Sequence, residues 1–141
     1  MIQASLLFFT ATVTAAPAAS ASSETLARAL FDTFNRHDAA ALALLYADDA
    51  RLTSSDFCGP RFGRTEVVRT YRALFERFPD IRDEVQDMVV DGDRVAVRFV
   101  ATSGKGGAVL SLPIATFLTV KHGLIQTDDS MFDTAGRACE P

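Results

Sequence analysis

No charged side chain precedes Glu24, only two cysteines and two histidines occur in 141 residues, and lysine and arginine never cluster. Each scarcity removes a class of function. Arginines stand singly, among them Arg28, Arg36, Arg51, Arg61, Arg64, Arg69 and Arg72, and the net charge is -4. A phosphate backbone needs clustered cations, so nucleic acid is not an expected partner. The His, Cys, Asp and Glu residues show no metal-ligand spacing, and no metal is expected. Gly104-Lys105-Gly106-Gly107 is a flexible turn, lacking the spacing and following helix of a phosphate loop, and no cofactor is expected either. Neither Cys58 nor Cys139 has an activating histidine suggested beside it, which argues against a catalytic thiol.

The uncharged start is informative in its own right. Leu6-Leu7-Phe8-Phe9 opens an apolar, small-residue run reaching Pro17, and Ala19-Ser20-Ala21 offers the small residues of a signal-peptidase site. The run is too short and too rich in Ala and Thr to span a membrane. Residues 1–21 are therefore expected to be a secretory signal peptide, with residues 22–141 as one domain in the periplasm or outside the cell. The alternative is an Ala-rich leader on a cytoplasmic protein. In an oxidising compartment Cys58 and Cys139 would naturally pair, unpaired thiols being the other reading. Closing so long a loop is worth about 4–5 kcal/mol in the chain-entropy account, as an upper estimate.

What is present supports a packed core: 48% of the residues are hydrophobic and 23% charged. Ser22-Ser23 can cap a helix from Glu24, with Leu26, Ala27, Leu30, Phe31 and Phe34 on one face. Asp38 can cap a second helix that turns Leu42, Leu45 and Tyr46 inward, followed by a short strand from Ala50 to Ser54. Thr65 can cap a third helix striped by Val67, Val68, Tyr71, Leu74, Phe75 and Phe78 and ended by Pro79. The period then becomes two. Val85–Val90 and Arg94–Thr102 flank an Asp91-Gly92-Asp93 hairpin, and Leu110–Val120 and Leu124–Phe132 flank Lys121-His122-Gly123. Helices followed by a strand meander give an α+β domain.

Asn35-Arg36-His37-Asp38, Tyr46-Ala47-Asp48-Asp49-Ala50, Gly63-Arg64, and Gly123-Leu124-Ile125-Gln126-Thr127 followed by Phe132-Asp133 together resemble the nuclear transport factor 2-like superfamily. The nearest flavour is its SnoaL-like group, which includes ketosteroid isomerase, polyketide cyclases and limonene epoxide hydrolase. The resemblance spans residues 24–134. It implies a cone-like curved antiparallel sheet wrapped around three N-terminal helices, the cystatin-like α+β barrel, with a pocket open at one end and often a homodimer.

The catalytic positions of those relatives are blank. The isomerase base falls on Ser54, its tyrosine on Leu30 and its oxyanion-binding aspartate near Ala115. The epoxide hydrolase carboxylate falls on Ser130. What remains is Asp128, which shares a strand face with Ser130 and Phe132; the resemblance turns that face toward the pocket. Among phenylalanines its pKa would rise toward the range of a general base. Alternatively it sits at the pocket mouth, solvated or paired with Arg61 or Arg98. Tyr46, Phe57, Tyr71, Phe75, Phe99, Ala115, Phe117, Ser130 and Phe132 are the expected pocket-lining residues. Asp56 is a weaker second acid, and His37 and His122 suit a helix end and a solvated turn. Three functions compete: an exported module holding a small apolar ligand, a small-molecule isomerase, cyclase or hydrolase using Asp128, and a domain whose pocket is filled by its own side chains.

Overall fold

The computed structural model describes residues 18–104 and 109–141, with side chains from Ser22 onward. Most of the expected leader and the Lys105-Gly106-Gly107 segment lie outside the described residues. Three helices pack on one face of a curved, unclosed six-stranded sheet: α1 (Ala18–Phe34), α2 (Ala39–Leu44), β1 (Tyr46–Ser54), β2 (Arg61–Phe62), α3 (Arg64–Arg77), β3 (Arg82–Asp91), β4 (Arg94–Ser103), β5 (Leu110–Lys121) and β6 (Leu124–Met131). The strand order is β2-β1-β6-β5-β4-β3. The sheet is mixed rather than wholly antiparallel, because β1 runs parallel to β6. α3 follows β1 and β2, so only α1 and α2 precede the sheet in sequence.

Helix α1 buries Ala27, Leu30, Phe31 and Phe34, at the i, i+3, i+4, i+7 spacing that places side chains on one face. It starts earlier than its sequence suggests. Ser22-Ser23 is no cap, for the helix begins at Ala18 and Ser23 is buried within it; alanine carries the highest helix propensity and extends the helix upstream. The far end stops at a left-handed residue, His37 (φ 58°), whose N–H donates to Phe34 O at 2.8 Å. Asp38 caps α2 by accepting from Ala41 N at 2.9 Å.

The motifs at this corner have structural work. Asn35 donates from Nδ2 to Asp83 O (2.9 Å) and accepts from Asp83 N (2.8 Å). His37 donates from Nε2 to Ile81 O (2.7 Å), its ring stacked on Phe75. The corner thus pins the first residues of β3. Gly63 (φ 84°), not Thr65, stands at the N-cap of α3, and a Cβ there would meet Asp48 O at 3.0 Å. Arg64 then donates from Nε to Tyr46 O (2.8 Å) and pairs with Asp48 (2.7 Å). The glycine–arginine pair fixes the start of β1, and β1 begins at Tyr46 instead of Ala50.

The inner sheet face supplies the core: Leu52 from β1, Val95, Val97, Phe99 and Ala101 from β4, Leu118 from β5 and Ile125 from β6. Besides a shift between Tyr46 and Arg51 in the parallel β1–β6 ladder, two irregularities break the antiparallel registers. Between Val85 and Asp87 one residue of β3 bulges from its ladder with β4. Between Thr119 and Val120, opposite Gln126, the β5–β6 ladder shifts in the same way. Each inserts one residue and so exchanges the two faces of everything beyond it.

Candidate ligand cavity

The helices do not fill the hollow of the sheet. A cavity of about 530 Å³ remains, walled by Phe34, Tyr71, Leu74, Phe78, Ile81, Phe99, Ala101 and Ile114. Its size suits a small organic molecule, and its walls are mainly hydrocarbon. Two buried carboxyl groups, Asp128 and Asp83, also face it.

Both acids face inward because of the bulges. Continuing the β5–β6 pairing of Lys121 with Leu124 would set Asp128 opposite Phe117, on the outer face. The shift sets it opposite Leu118, which is buried. The β3–β4 pairing of Asp91 with Arg94 would likewise set Asp83 opposite Thr102, whereas the bulge sets it opposite the buried Ala101.

Asp128 is 5% exposed and amply satisfied. Its Oδ2 accepts from Tyr46 OH (2.6 Å), and its Oδ1 accepts from Thr116 Oγ1 (2.6 Å) and more distantly from Ser130 Oγ (3.4 Å). Burial pushes its pKa up, while the hydroxyls of Thr116, Tyr46 and Ser130 pull it back and the Asp129 charge raises it again. Because Tyr46 gives its proton to Asp128, Tyr71 is the donor in the 3.2 Å contact between the phenols. A chain of hydroxyls therefore runs from Tyr71 on the cavity wall, through Tyr46, to the carboxylate. Burial, then the Asp128 charge, holds both phenols well above the ordinary tyrosine value, so both stay protonated donors.

Asp83 is different. It is 9% exposed, its backbone is clamped by Asn35, and its Oδ1 has no hydrogen-bond partner among the described residues. Burial, followed by the Asp128 charge, raises its pKa from 3.8 to about 8.

The mouth is formed by Asp56, Phe57, Arg61, Arg77 and the C-terminal tail with Arg137, Ala138 and Glu140. Arg61 lies 3.7 Å over the Phe57 ring and donates to Thr70 Oγ1 at 3.0 Å. Cys58 and Cys139 form a disulfide with Cα atoms 4.9 Å apart. Around it, Cys58 N donates to Glu140 O (2.8 Å) and Glu140 N to Asp56 O (2.6 Å), laying the tail beside the Phe57 loop.

Of the residues singled out in the sequence, Phe57, Tyr71, Phe99, Asp128, Ser130 and Phe132 line the cavity. Tyr46 stands behind Asp128, wholly buried. Phe75 turns to the helix corner, between His37 and Phe34. Ala115 and Phe117 are corrected to the outer face, where they pair with Arg98 and Ala96; the inward positions on β5 are Ile114, Thr116 and Leu118. Asp128 meets neither Arg61 nor Arg98, which engage Thr70 and Gln86. Asp56 accepts from Ser54 Oγ at 2.5 Å at the rim, and His122 is exposed in its turn. Leu30, where the isomerase tyrosine falls, is buried in the core.

Asp83 and Thr116 were absent from the sequence-derived set. Thr116 lies on the opposite face of β5 from Ala115 and Phe117, the pair that the sequence reading turns inward. Asp83 carried no signal: in Asp80-Ile81-Arg82-Asp83-Glu84 it reads as one exposed charge among several.

Known structures share this architecture. A candidate ketosteroid isomerase from Kribbella flavida is 27% identical, with a TM-score of 0.68 over 86% of this chain and 83% of its own. A loop-truncated variant of IdmH is 26% identical, with a TM-score of 0.71 over 80% of this chain and 94% of its own. A candidate SnoaL-like polyketide cyclase from Jannaschia sp. CCS1 is 18% identical, with a TM-score of 0.74 over 84% of this chain and 90% of its own. No curated protein matches by sequence. The SnoaL-like domain profile matches residues 27–127, which run from the buried face of α1 into β6, and the chain belongs to that family.

Proposed function

We propose that this chain is an exported SnoaL-like domain whose cavity binds a small, mainly apolar molecule. The observation that carries the reading is the 530 Å³ hollow itself, with hydrocarbon walls and acidic groups only at particular points. Export is supported by the uncharged start before Glu24 and is compatible with the Cys58–Cys139 disulfide. Among the described residues no helix is long and apolar enough to cross a membrane. Dimerisation would use the outer sheet face, where Val89, Phe117 and Met131 are exposed. Binding is tested by titrating a hydrophobic fluorescent dye into the oxidised protein. Ala101→Phe, which fills the hollow from a buried wall position, should abolish the signal. Equal dye binding by that variant would place the dye elsewhere and count against the cavity.

A second reading is favoured by the hydroxyl chain: Asp128 as the acid/base group of an isomerisation, cyclisation or hydration. A carboxylate offers about four acceptor positions, and three hydroxyls leave roughly one for a substrate proton. Deuterium uptake into the α-carbon of cyclohexanone, followed by NMR, reads this chemistry directly. The wild type should accelerate uptake and Asp128→Asn should not. Uptake at the buffer rate with wild type, under conditions where the ketone binds, removes Asp128 from proton transfer.

A further inference from the structure

We propose that the cavity selects ligands carrying an ammonium group, with Asp83 as the direct counter-ion and Asp128 as the second negative group. The inference rests on the reading that the cavity binds a small molecule, and it names the chemical class. Its starting point is the carboxyl of Asp83, a residue that lines the hollow and whose buried Oδ1 has no partner among the described residues. An unpaired buried acceptor costs about 1–3 kcal/mol, so a position that keeps one is suited to a partner that arrives from outside.

Three features point to a cation. Asn35 holds the Asp83 backbone from both sides, which keeps the residue at the cavity wall. The arginines bordering the hollow are already engaged: Arg61 with Phe57 and Thr70, Arg77 with Glu140, Arg137 with Thr134 O. No cationic side chain of the described residues therefore neutralises Asp83. Finally, burial and then the Asp128 charge hold the pKa of Asp83 up, so the two acids share one poorly solvated space. A cation stabilises both carboxylates together, an anion would be repelled by both, and a neutral carbonyl would use only the protonated form of one. Tyr71, Phe34 and Phe99 add ring faces around the same space, which favour a cation as well.

The test uses three probes with one apolar body: aminoadamantane, adamantanol and adamantanone, titrated calorimetrically into the full oxidised protein at about pH 9, above the Asp83 pKa of about 8. In the wild type the amine should bind at least about tenfold more tightly than the alcohol or the ketone. Asp83→Asn and Asp83→Leu should each erase that preference while adamantanol affinity stays within about threefold. Because Oδ1 has no partner to lose, both variants should remain folded, and thermal melts verify this. Equal or tighter binding of the ketone or alcohol in the wild type overturns the proposal, as does a preference that survives both variants; the cavity reading then stands. Failure of all three probes to bind the wild type overturns both.

Discussion

The two ends of the cavity are secured by different means. At the acidic end, positions are set by hydrogen bonds: the β5–β6 and β3–β4 ladders, the hydroxyls around Asp128 and the Asn35 clamp on Asp83. At the mouth, a short tail with few buried contacts is tied down by one covalent bond, Cys58–Cys139, and the local backbone pairing it permits. The first arrangement fixes the direction of each side chain and depends on protonation. The second confines the chain without dictating chemistry and depends on redox state. The difference predicts that substitutions at the acidic end change recognition while substitutions at the mouth change stability.

Breaking the mouth should produce the larger loss. Cys139→Ser removes a bridge spanning 81 residues and should cost up to about 4–5 kcal/mol in urea unfolding. Cys58→Ser should do the same, and the double variant should add little further. A loss below about 1 kcal/mol would show that the tail pairing, not the bridge, secures this end.

The next effect is at Asp83 and depends on pH. Its folded pKa of about 8 lies above the unfolded value of 3.8, so the folded state holds a proton that the unfolded state has released. Its contribution is most favourable below pH 3.8 and is lost progressively as the pH rises toward about 8. Asp83→Asn should therefore stabilise the protein above pH 8, by several kcal/mol, and much less at pH 4. Denaturation at both pH values checks it; a pH-independent difference would mean that Asp83 is not a buried acid.

The smallest effect expected is at Tyr46. Tyr46→Phe removes one donor to Asp128 and interrupts the chain from Tyr71, costing about 1.5–3 kcal/mol as a hydrogen bond to a charged group. It should also raise the Asp128 pKa, visible as an upward shift in the carboxyl titration by NMR, since Tyr46 is one of the donors that pull it down. An unchanged titration would show that Thr116 and Ser130 suffice.

How much of this was legible depends on the range of the interaction concerned. The buried stripe Ala27, Leu30, Phe31 and Phe34, the Asp38 cap and the Asp91-Gly92-Asp93 hairpin are local, and their residues state them plainly. The start of α1 was not, because alanines upstream continue a helix that a serine pair seemed placed to begin. Phe117 was misplaced for a subtler reason. On β5 every second residue faces in, and an aromatic side chain gives no sign of which set it belongs to.

The sequence by itself determined the elements, the family motifs and the two cysteines able to meet, since propensity, period and turn chemistry act over a few residues. Tertiary structure alone decided which acids face the hollow. Side chains alternate with a period of two, so one inserted residue exchanges the faces, and only the pairing of whole strands shows where β3 and β6 each take that extra residue.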